Sequence, residues 1–316
     1  MLSWRALARF PLLLALAACL SGPWFDRFLP AAVLTQVPLW LYLLSLVPSA
    51  LVGPRWVVAL AALATVLAVG RPQFDRQDEG ELTVLCWNLG VDLPRLDQAA
   101  AALRDLPWDL ALLQEVGLTQ THDVGRELLA RLEVPHVARG GYDGELMILS
   151  RHRLLSQGDF LAADLREELW AEVEIRGRKL QVLNLHLVKE NWYQPTTSLL
   201  ESARLRALQV EDVLDRVGPG PALVGGDFNL PPNASPMLKM RNHLQDSFER
   251  AGRGFGMTFP VALPCWRIDY LFASSHLQVA DCRVLRLPAS DHAGLLTRLR
   301  LPPPSPRLPS LPDGRD

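Results

Sequence analysis

An acid and an amide two residues apart, Asp227 and Asn229, close the run Gly225-Gly226-Asp227-Phe228-Asn229. A carboxylate in that position can orient or deprotonate a water, and an amide can donate to a phosphate oxygen. The preceding burst Pro221-Ala222-Leu223-Val224 reads as a strand entering a core. On a strand, positions i and i+2 share a face, so both side chains are expected on one side. The paired glycines let a second backbone or a ligand come close. Asp-x-Asn after glycines is equally a turn signature, so its meaning depends on partners elsewhere in the chain.

Five such partners exist. Val84-Leu85-Cys86-Trp87-Asn88 is an apolar run ending in an amide, and Leu110-Ala111-Leu112-Leu113-Gln114-Glu115 is one ending in an acid. Leu180 to Leu187 alternates polar and apolar residues and brings His186 late in the strand, two residues after Asn184. Arg267-Ile268-Asp269-Tyr270 supplies another acid, and Ser290-Asp291-His292 an acid beside a histidine. Taken singly, Asn88 is a strand-ending turn residue, Glu115 an element terminus, His186 a satisfied sheet histidine and Asp269 a partner of Arg267. Together they are polar terminations of apolar strands within one domain, which a purely structural role does not require.

This ordered set resembles the endonuclease/exonuclease/phosphatase superfamily, the deoxyribonuclease I-like group, over roughly residues 81–301. The resemblance implies an α/β (α+β) fold, a four-layer sandwich of two mixed β-sheets flanked by helices, with the site at one edge. It implies Glu115 as the leading metal ligand, with Asn88 beside it and Asp291 as a nearby acid. Mg²⁺ is the expected ion, with Mn²⁺ as a substitute; Mg²⁺ takes oxygen ligands and is held by one or two carboxylates plus substrate phosphate. Asp227 is then the residue that acts on the attacking water, and Asn229 a donor to the phosphate. His292, oriented by Asp269, and His186 would stabilise charge on the phosphoryl oxygens during in-line displacement. Trp192 and Tyr193, in the loop after the His186 strand, fall where relatives contact substrate. Arg206 and Gln209 match an Arg-x-x-Gln pair, although their helical spacing predicts a surface hydrogen bond. Thr258 matches a threonine ahead of the Asp269 strand, where a turn role serves equally well.

The elements that must position these residues can be read from periodicity. Strands are expected around Thr83, Ala111, Met147, Ala171, Val182, Leu223, Leu271, Val284 and Leu296, and helices over 93–106, 122–132 and 199–217. Pattern alone supports an α/β class. The chain lacks a Gly-x-x-x-x-Gly-Lys-Ser/Thr loop, a Cys/His cluster with zinc spacing and a Gly-x-Ser-x-Gly elbow, which excludes those three chemistries.

Composition divides the chain near Arg71. Residues 1–70 are expected to be a membrane segment of two to three transmembrane helices, 71–80 a linker, 81–301 the catalytic domain and 302–316 a disordered Pro-rich tail. Apolar stretches run from Phe10 to Leu20, Pro30 to Leu51 and Trp56 to Val69, against the roughly 20 residues a bilayer needs. Arg5, Arg9 and Arg55 on the inner side would leave the catalytic domain outside the cytoplasm, as a multi-pass cell-membrane protein. Leu16-Ala17-Ala18-Cys19 resembles a lipoprotein cleavage box, and use of Cys19 would not change that side. Outside the segment 28 basic residues face 33 acidic ones, about −5, which argues against a broad basic footprint for duplex DNA. Cys265 and Cys282 flank a turn, where a disulfide is conceivable in an oxidising compartment. The expected partners are the bilayer and a phosphate ester, whether nucleic acid, phospholipid headgroup or soluble phosphoester; no protein partner is inferable. A non-catalytic binding module on the same fold is the alternative of another class, disfavoured by the complete polar set.

Overall fold

The computed structural model describes residues 10–52, 54–70, 72–74, 80–90, 95–117, 122–163, 166–189 and 197–302. Helices α1 (Phe10–Ser21), α2 (Leu29–Gln36), α3 (Leu39–Ser45), α4 (Val47–Val52) and α5 (Arg55–Thr65) come first. There follow β1 (Gln73–Phe74), β2 (Leu82–Asn88), α6 (Leu96–Asp105), β3 (Leu110–Gln114), α7 (Val124–Leu129), β4 (His136–Gly140), β5 (Leu146–Ser150) and β6 (Arg153–Ala162). The chain continues through β7 (Arg166–Ile175), β8 (Arg178–His186), α8 (Thr197–Arg216), β9 (Ala222–Asp227), α9 (Ser235–His243), β10 (Gln245–Asp246) and α10 (Ser247–Ala251). It ends with β11 (Arg253–Gly254), β12 (Asp269–Ala273), β13 (Gln278–Leu285) and β14 (Gly294–Arg300).

Two six-stranded sheets form the centre, in the orders β13-β14-β2-β3-β5-β4 and β10-β12-β9-β8-β7-β6. Each is mixed: β2 runs parallel to β3 and β8 parallel to β9, and their other pairings are antiparallel. Alternation along each strand divides the side chains between layers. Val84, Cys86 and Leu112 from one sheet meet Val182, Leu223 and Leu271 from the other in the inter-sheet core. Leu85 and Trp87 point the opposite way, onto Leu96, Ala99, Ala100 and Leu103 of α6, whose spacing makes one apolar stripe. Leu183, Leu185 and Val224 likewise meet Ala203, Val210 and Val213 of α8 and Met237 and Met240 of α9. The result is the expected four layers. All nine expected strands form; the two-residue strands β1, β10 and β11 were not anticipated, nor were β4, which buries only its central residue, and β6, which exposes most of its residues.

Gly225 and Gly226 serve close packing. A Cβ on Gly225 would lie 2.8 Å from Leu271 and 3.0 Å from Leu112, and one on Gly226, at φ +147°, would lie 1.9 Å from the Leu185 carbonyl oxygen. The glycines therefore let β8 and the facing sheet approach β9.

The N-terminal segment departs from the expected continuous spans. Among the described residues no single helix is long and apolar enough to cross a membrane; Phe10–Trp24 and Leu29–Gln36 reach that length only as a pair bent by 111°. The expected span from Pro30 to Leu51 is broken at Val37, which is extended ahead of Pro38, and only the shorter apolar stretch Leu39–Leu51 follows. A residue preceding proline is pushed out of the α region, and proline cannot donate to the helix before it. The segment is also docked on the sandwich. Phe25 and Ala32 are buried in the outer core beside Met237 and Ala234, and a Cβ on Gly22 would lie 2.0 Å from the Asn233 carbonyl oxygen. The Arg206 guanidinium sits 5.6 Å from the Phe25 ring centre. Trp266 donates to the Gln36 carbonyl at 2.7 Å, and Trp40 donates to Cys265 Sγ at 3.2 Å.

Candidate active site

The polar terminations seen in the sequence share one cause of convergence. Asn88 lies two residues beyond the inter-sheet core residue Cys86, Gln114 two beyond Leu112, and Asp269 two before Leu271 on an antiparallel strand. Period-2 alternation keeps each on the inner face, and strand pairing sets their level. Asp227 is registered against His186 on one side and Asp269 on the other, and Asn88 against Gln114. Below this edge the two sheets are joined by polar bonds: Gln114 Nε2 donates to Asn184 Oδ1 at 2.6 Å, and Asn184 Nδ2 donates to the carbonyls of Leu113 and Met147 at 2.9 and 3.0 Å.

Asp227 occupies the centre. Its Oδ1 accepts from the Asn229 backbone N–H at 2.9 Å and its Oδ2 from Asn88 Nδ2 at 3.1 Å. His186 Nε2 and His292 Nε2 each lie 3.9 Å from Oδ2. Burial raises the Asp227 pKa, with the neighbouring Asp269 charge adding to it and the two histidines opposing. The expectation that Asp227 and Asn229 share a strand face is corrected: β9 ends at Asp227, and Asn229 sits at φ +50°. Its side chain is instead placed by the turn, with Nδ2 donating to the Leu187 carbonyl at 3.0 Å and, among the described residues, one amide hydrogen left over.

Each histidine has its own carboxylate. His292 Nδ1 lies 3.0 and 3.1 Å from the two oxygens of Asp269. Burial of His292 opposes protonation, yet Asp269 beside it, with Asp227 and Asp291, pushes its pKa up to about 10. The imidazolium is therefore the form at neutral pH, with Nε2–H directed toward the Asp227 side. His186 Nδ1 lies 3.2 Å from Glu145 Oε2, and Glu145 is held in turn by Arg166 Nε at 2.9 Å. Asp269 is not the partner of Arg267; that buried guanidinium bonds Asp246.

Whether the residues fit a divalent cation is decided beside Gly90. A Cβ built on Gly90, at φ +45°, would lie 3.1 Å from Asp291 Oδ1, 3.6 Å from Glu115 Oε2 and 3.8 Å from Asn88 Oδ1. Three oxygens thus face one small space that only glycine leaves open. Among the described residues Asn88 Oδ1 is buried and has no hydrogen-bond donor, while Nδ2 of the same amide is spent on Glu115 at 3.0 Å and on Asp227. Glu115 itself adopts φ +56°, an uncommon conformation for a non-glycine residue and a form of local strain associated with functional sites. Burial works against its charge, but His186, Lys189 and Asn88 together hold its pKa below the usual value. An all-oxygen donor set suits Mg²⁺ or Mn²⁺. Two other groupings come together, Glu115 with His186 and Asp227, and Asp227 with Asp269 and His292. Each contains a histidine, and His292 is already committed to Asp269, so the oxygen set beside Gly90 is the better cation cradle.

Other residues hold the frame. Ser290 Oγ donates to the Asn88 carbonyl at 2.7 Å and accepts from His292 N–H at 2.9 Å, and Trp87 Nε1 donates to the His292 carbonyl at 3.1 Å. Thr258, fully buried, accepts from the N–H groups of Ile268 and Asp269 and so anchors the start of β12. Arg206 and Gln209 are not on the surface as expected. Both are fully buried and clasp Val188, just past His186, through its carbonyl at 3.3 Å and its N–H at 3.0 Å. Cys265 and Cys282 are both free, so no disulfide joins them. Trp192 and Tyr193 lie outside the described residues.

Sequence reasoning missed Gly90, Glu145, Arg166 and Lys189, the last with Nζ 3.6 Å from Glu115 Oε1. Glu145 did carry a signal: it directly precedes the apolar strand β5, which runs antiparallel to β3 and therefore begins at the edge where β3 ends.

Comparison with known proteins agrees with this geometry. A search of curated proteins gives no match. The fold matches a solved endonuclease/exonuclease/phosphatase protein from Beutenbergia cavernae at 23% identity and TM-score 0.58, covering 72% of each chain. It matches a humanized D. rerio TDP2 at 20% identity and TM-score 0.57, covering 69% of this chain and 98% of that one. A mannosyl-6-phosphatase from Bacteroides thetaiotaomicron matches at 19% identity and TM-score 0.55, covering 69% and 99%. The family model described as the Endonuclease/Exonuclease/phosphatase family matches residues 85–292, which spans every polar strand end from Asn88 to His292. The chain belongs to the endonuclease/exonuclease/phosphatase family, whose members are hydrolases acting on phosphoester bonds.

Proposed function

We propose that this chain is a membrane-associated, Mg²⁺-dependent phosphodiesterase in which water attacks phosphorus in line with the departing ester oxygen. The observation that carries the reading is the convergence of Asn88, Glu115 and Asp291 oxygens beside Gly90, next to Asp227 and the His292–Asp269 pair. Asn88, Glu115 and Asp291 would hold the ion, which supplies charge neutralisation at the phosphoryl oxygens and the leaving group. Mn²⁺ fits the same oxygen donors.

The protein's own groups divide the remaining work. Asp227, fixed by Asn229 N–H and Asn88 Nδ2, presents a carboxylate whose burial makes it a stronger base toward the attacking water. The His292 imidazolium, held by Asp269, offers Nε2–H to a phosphoryl oxygen, where developing charge is best stabilised by a preorganised donor. His186, held by Glu145, faces the same space through its buried Nε2. Asn229 contributes its free amide hydrogen. No covalent enzyme intermediate is needed; positioning and electrostatics suffice.

The apolar N-terminal helices support association with a bilayer, and Arg5, Arg9 and Arg55 support a catalytic domain outside the cytoplasm. The test of the chemistry is hydrolysis of bis(p-nitrophenyl) phosphate by the full chain with Mg²⁺, with chelator, and after Asp227→Ala. Turnover with Mg²⁺ only, abolished in a variant that still folds, is expected; undiminished turnover in the variant defeats the assignment. For topology, protease added to spheroplasts should digest the domain, and full protection would place it in the cytoplasm.

A further inference from the structure

Resting on the phosphodiesterase reading above, we propose that Glu168 is a positioning residue for His186, holding its backbone from β7 while Glu145 orients its imidazole. The pairing of β7 with β8 stops at Leu169 opposite Asn184, two residues short of His186, although β7 continues beside β6 as far as Arg166. On the other side of β8, His186 is registered against Asp227, and the N–H of Leu187 goes to the Asp227 carbonyl at 2.9 Å. Successive N–H groups of a strand point to opposite neighbours, so the His186 N–H faces β7, where the ladder has ended. Glu168 Oε2 fills that place, accepting from the His186 N–H at 2.8 Å. A side chain thus substitutes for a ladder bond at the residue whose Nε2 faces the reacting groups.

The surroundings of Glu168 suit an uncharged acid. Its side chain is fully buried, its neighbour across the pairing with β6 is Phe160, and among the described residues its Oε1 has no hydrogen-bond partner. A carboxylate there would keep its charge out of water on a single N–H bond, which is costly. Burial pushes the Glu168 pKa up to about 8; the His186 N–H and Arg166 oppose the rise, and the Glu145 charge adds to it. The groups that face it are therefore Arg166 from its own strand, His186 from β8 and Glu145 from the turn ahead of β5, while β6 presents Phe160. The charge of Glu168 matters to His186 through Arg166. That guanidinium bonds Glu145 through Nε at 2.9 Å and lies 3.2 Å from His186 Nδ1 through a terminal nitrogen, so it braces both the imidazole and its carboxylate. An ionised Glu168 competes for Arg166 and loosens the 3.2 Å contact between Glu145 and His186. As an acid it leaves that contact intact and still accepts the His186 N–H.

The experiment follows hydrolysis of bis(p-nitrophenyl) phosphate against pH by the full chain with Mg²⁺, in the parent, Glu168→Leu and Glu168→Gln proteins. Glu168→Leu leaves the His186 N–H without its acceptor and should lower kcat about ten- to one hundred-fold at neutral pH, with KM changed less than about two-fold. Glu168→Gln keeps an acceptor and puts an amide where the acid carries its proton, so it should recover most of that loss. The parent rate should also fall as pH rises through about 8, below the limb near 10 set by His292, and Glu168→Gln should lack this lower limb. Parent kcat in a folded Glu168→Leu protein overturns the proposal. So does a Glu168→Gln profile that keeps the lower limb, whether or not Glu168→Leu folds. Absence of turnover by the parent defeats the phosphodiesterase reading instead, and denaturation then decides on Glu168. The folded parent binds the extra proton, so its stability should fall relative to Glu168→Gln as pH rises from the ordinary carboxyl range through about 8, and a constant difference overturns the proposal.

Discussion

The sandwich and the N-terminal helices sort their residues in opposite senses. In the sandwich, large apolar side chains such as Leu82, Trp87 and Phe272 are fully buried. In the helices, small and polar residues such as Ala18, Thr35 and Thr65 are buried, while Leu13, Leu51 and Trp56 are 63, 78 and 67% exposed. Water imposes the first arrangement. Helices that turn large side chains outward over an extended area are built to be covered by something apolar. The two regions nevertheless share one boundary, where Phe25 enters the outer core of the sandwich and Trp266 bonds the helices. The segment is thus packed into the catalytic domain as well as apolar on its outer side.

Asp227→Asn removes the proposed base from the sandwich's polar edge, and a fall in kcat of roughly two to four orders of magnitude is expected. A thermal melt no lower than that of the parent would show that Asp227 serves chemistry rather than packing. Phe25→Ala tests the shared boundary. Loss of a fully buried ring should destabilise the catalytic domain by about 3–5 kcal/mol in chemical denaturation, and a negligible change would make the helices a mere tether.

Gly90→Ala is smaller and more specific. It places a methyl group among the oxygens of Asn88, Glu115 and Asp291 and asks alanine to hold φ +45°. A cost of about 1 kcal/mol in stability is expected, together with a weaker apparent Mg²⁺ affinity in a titration of activity; unchanged affinity would move the ion elsewhere. Leu13→Ser should change stability by no more than about 0.5 kcal/mol in detergent while lowering partition into liposomes.

The His292–Asp269 pair gives a pH signature. His292 has its pKa raised to about 10 in the folded state, so in metal-free protein the folded form binds the extra proton. That stabilisation is fully present below the unfolded value of about 6.5 and is lost as pH rises through about 10. Asp269→Asn should remove this dependence from denaturation curves and shift the basic limb of the pH–rate profile downward. Identical profiles in both proteins would mean that Asp269 does not set the charge of His292.

Much of the site was legible because strand periodicity is a local property. Once Cys86 and Leu112 are taken as inward, Asn88 and Gln114 must be inward too, and the same holds for His186 after Asn184. Glu145 and Lys189 were not legible in this way, because they lie just outside the strands, where alternation no longer sets direction. Arg206 and Gln209 looked like surface residues on a helix, since nothing local reveals that Val188 and Phe25 will cover them. The helix break at Val37 is written in the sequence as Pro38, but the length of the apolar run pointed the other way.

By itself the sequence determined which side chains end the strands, the family to which that order belongs, and the apolar character of the first seventy residues. These depend on residue type and spacing along the chain. Only the tertiary structure decided that Gly90 leaves room for three oxygens, that Glu145 holds His186, and that Trp266 joins the catalytic edge to the N-terminal helices. Those contacts bring together residues far apart in the chain, and their geometry is fixed by how two twisted sheets and their flanking helices pack.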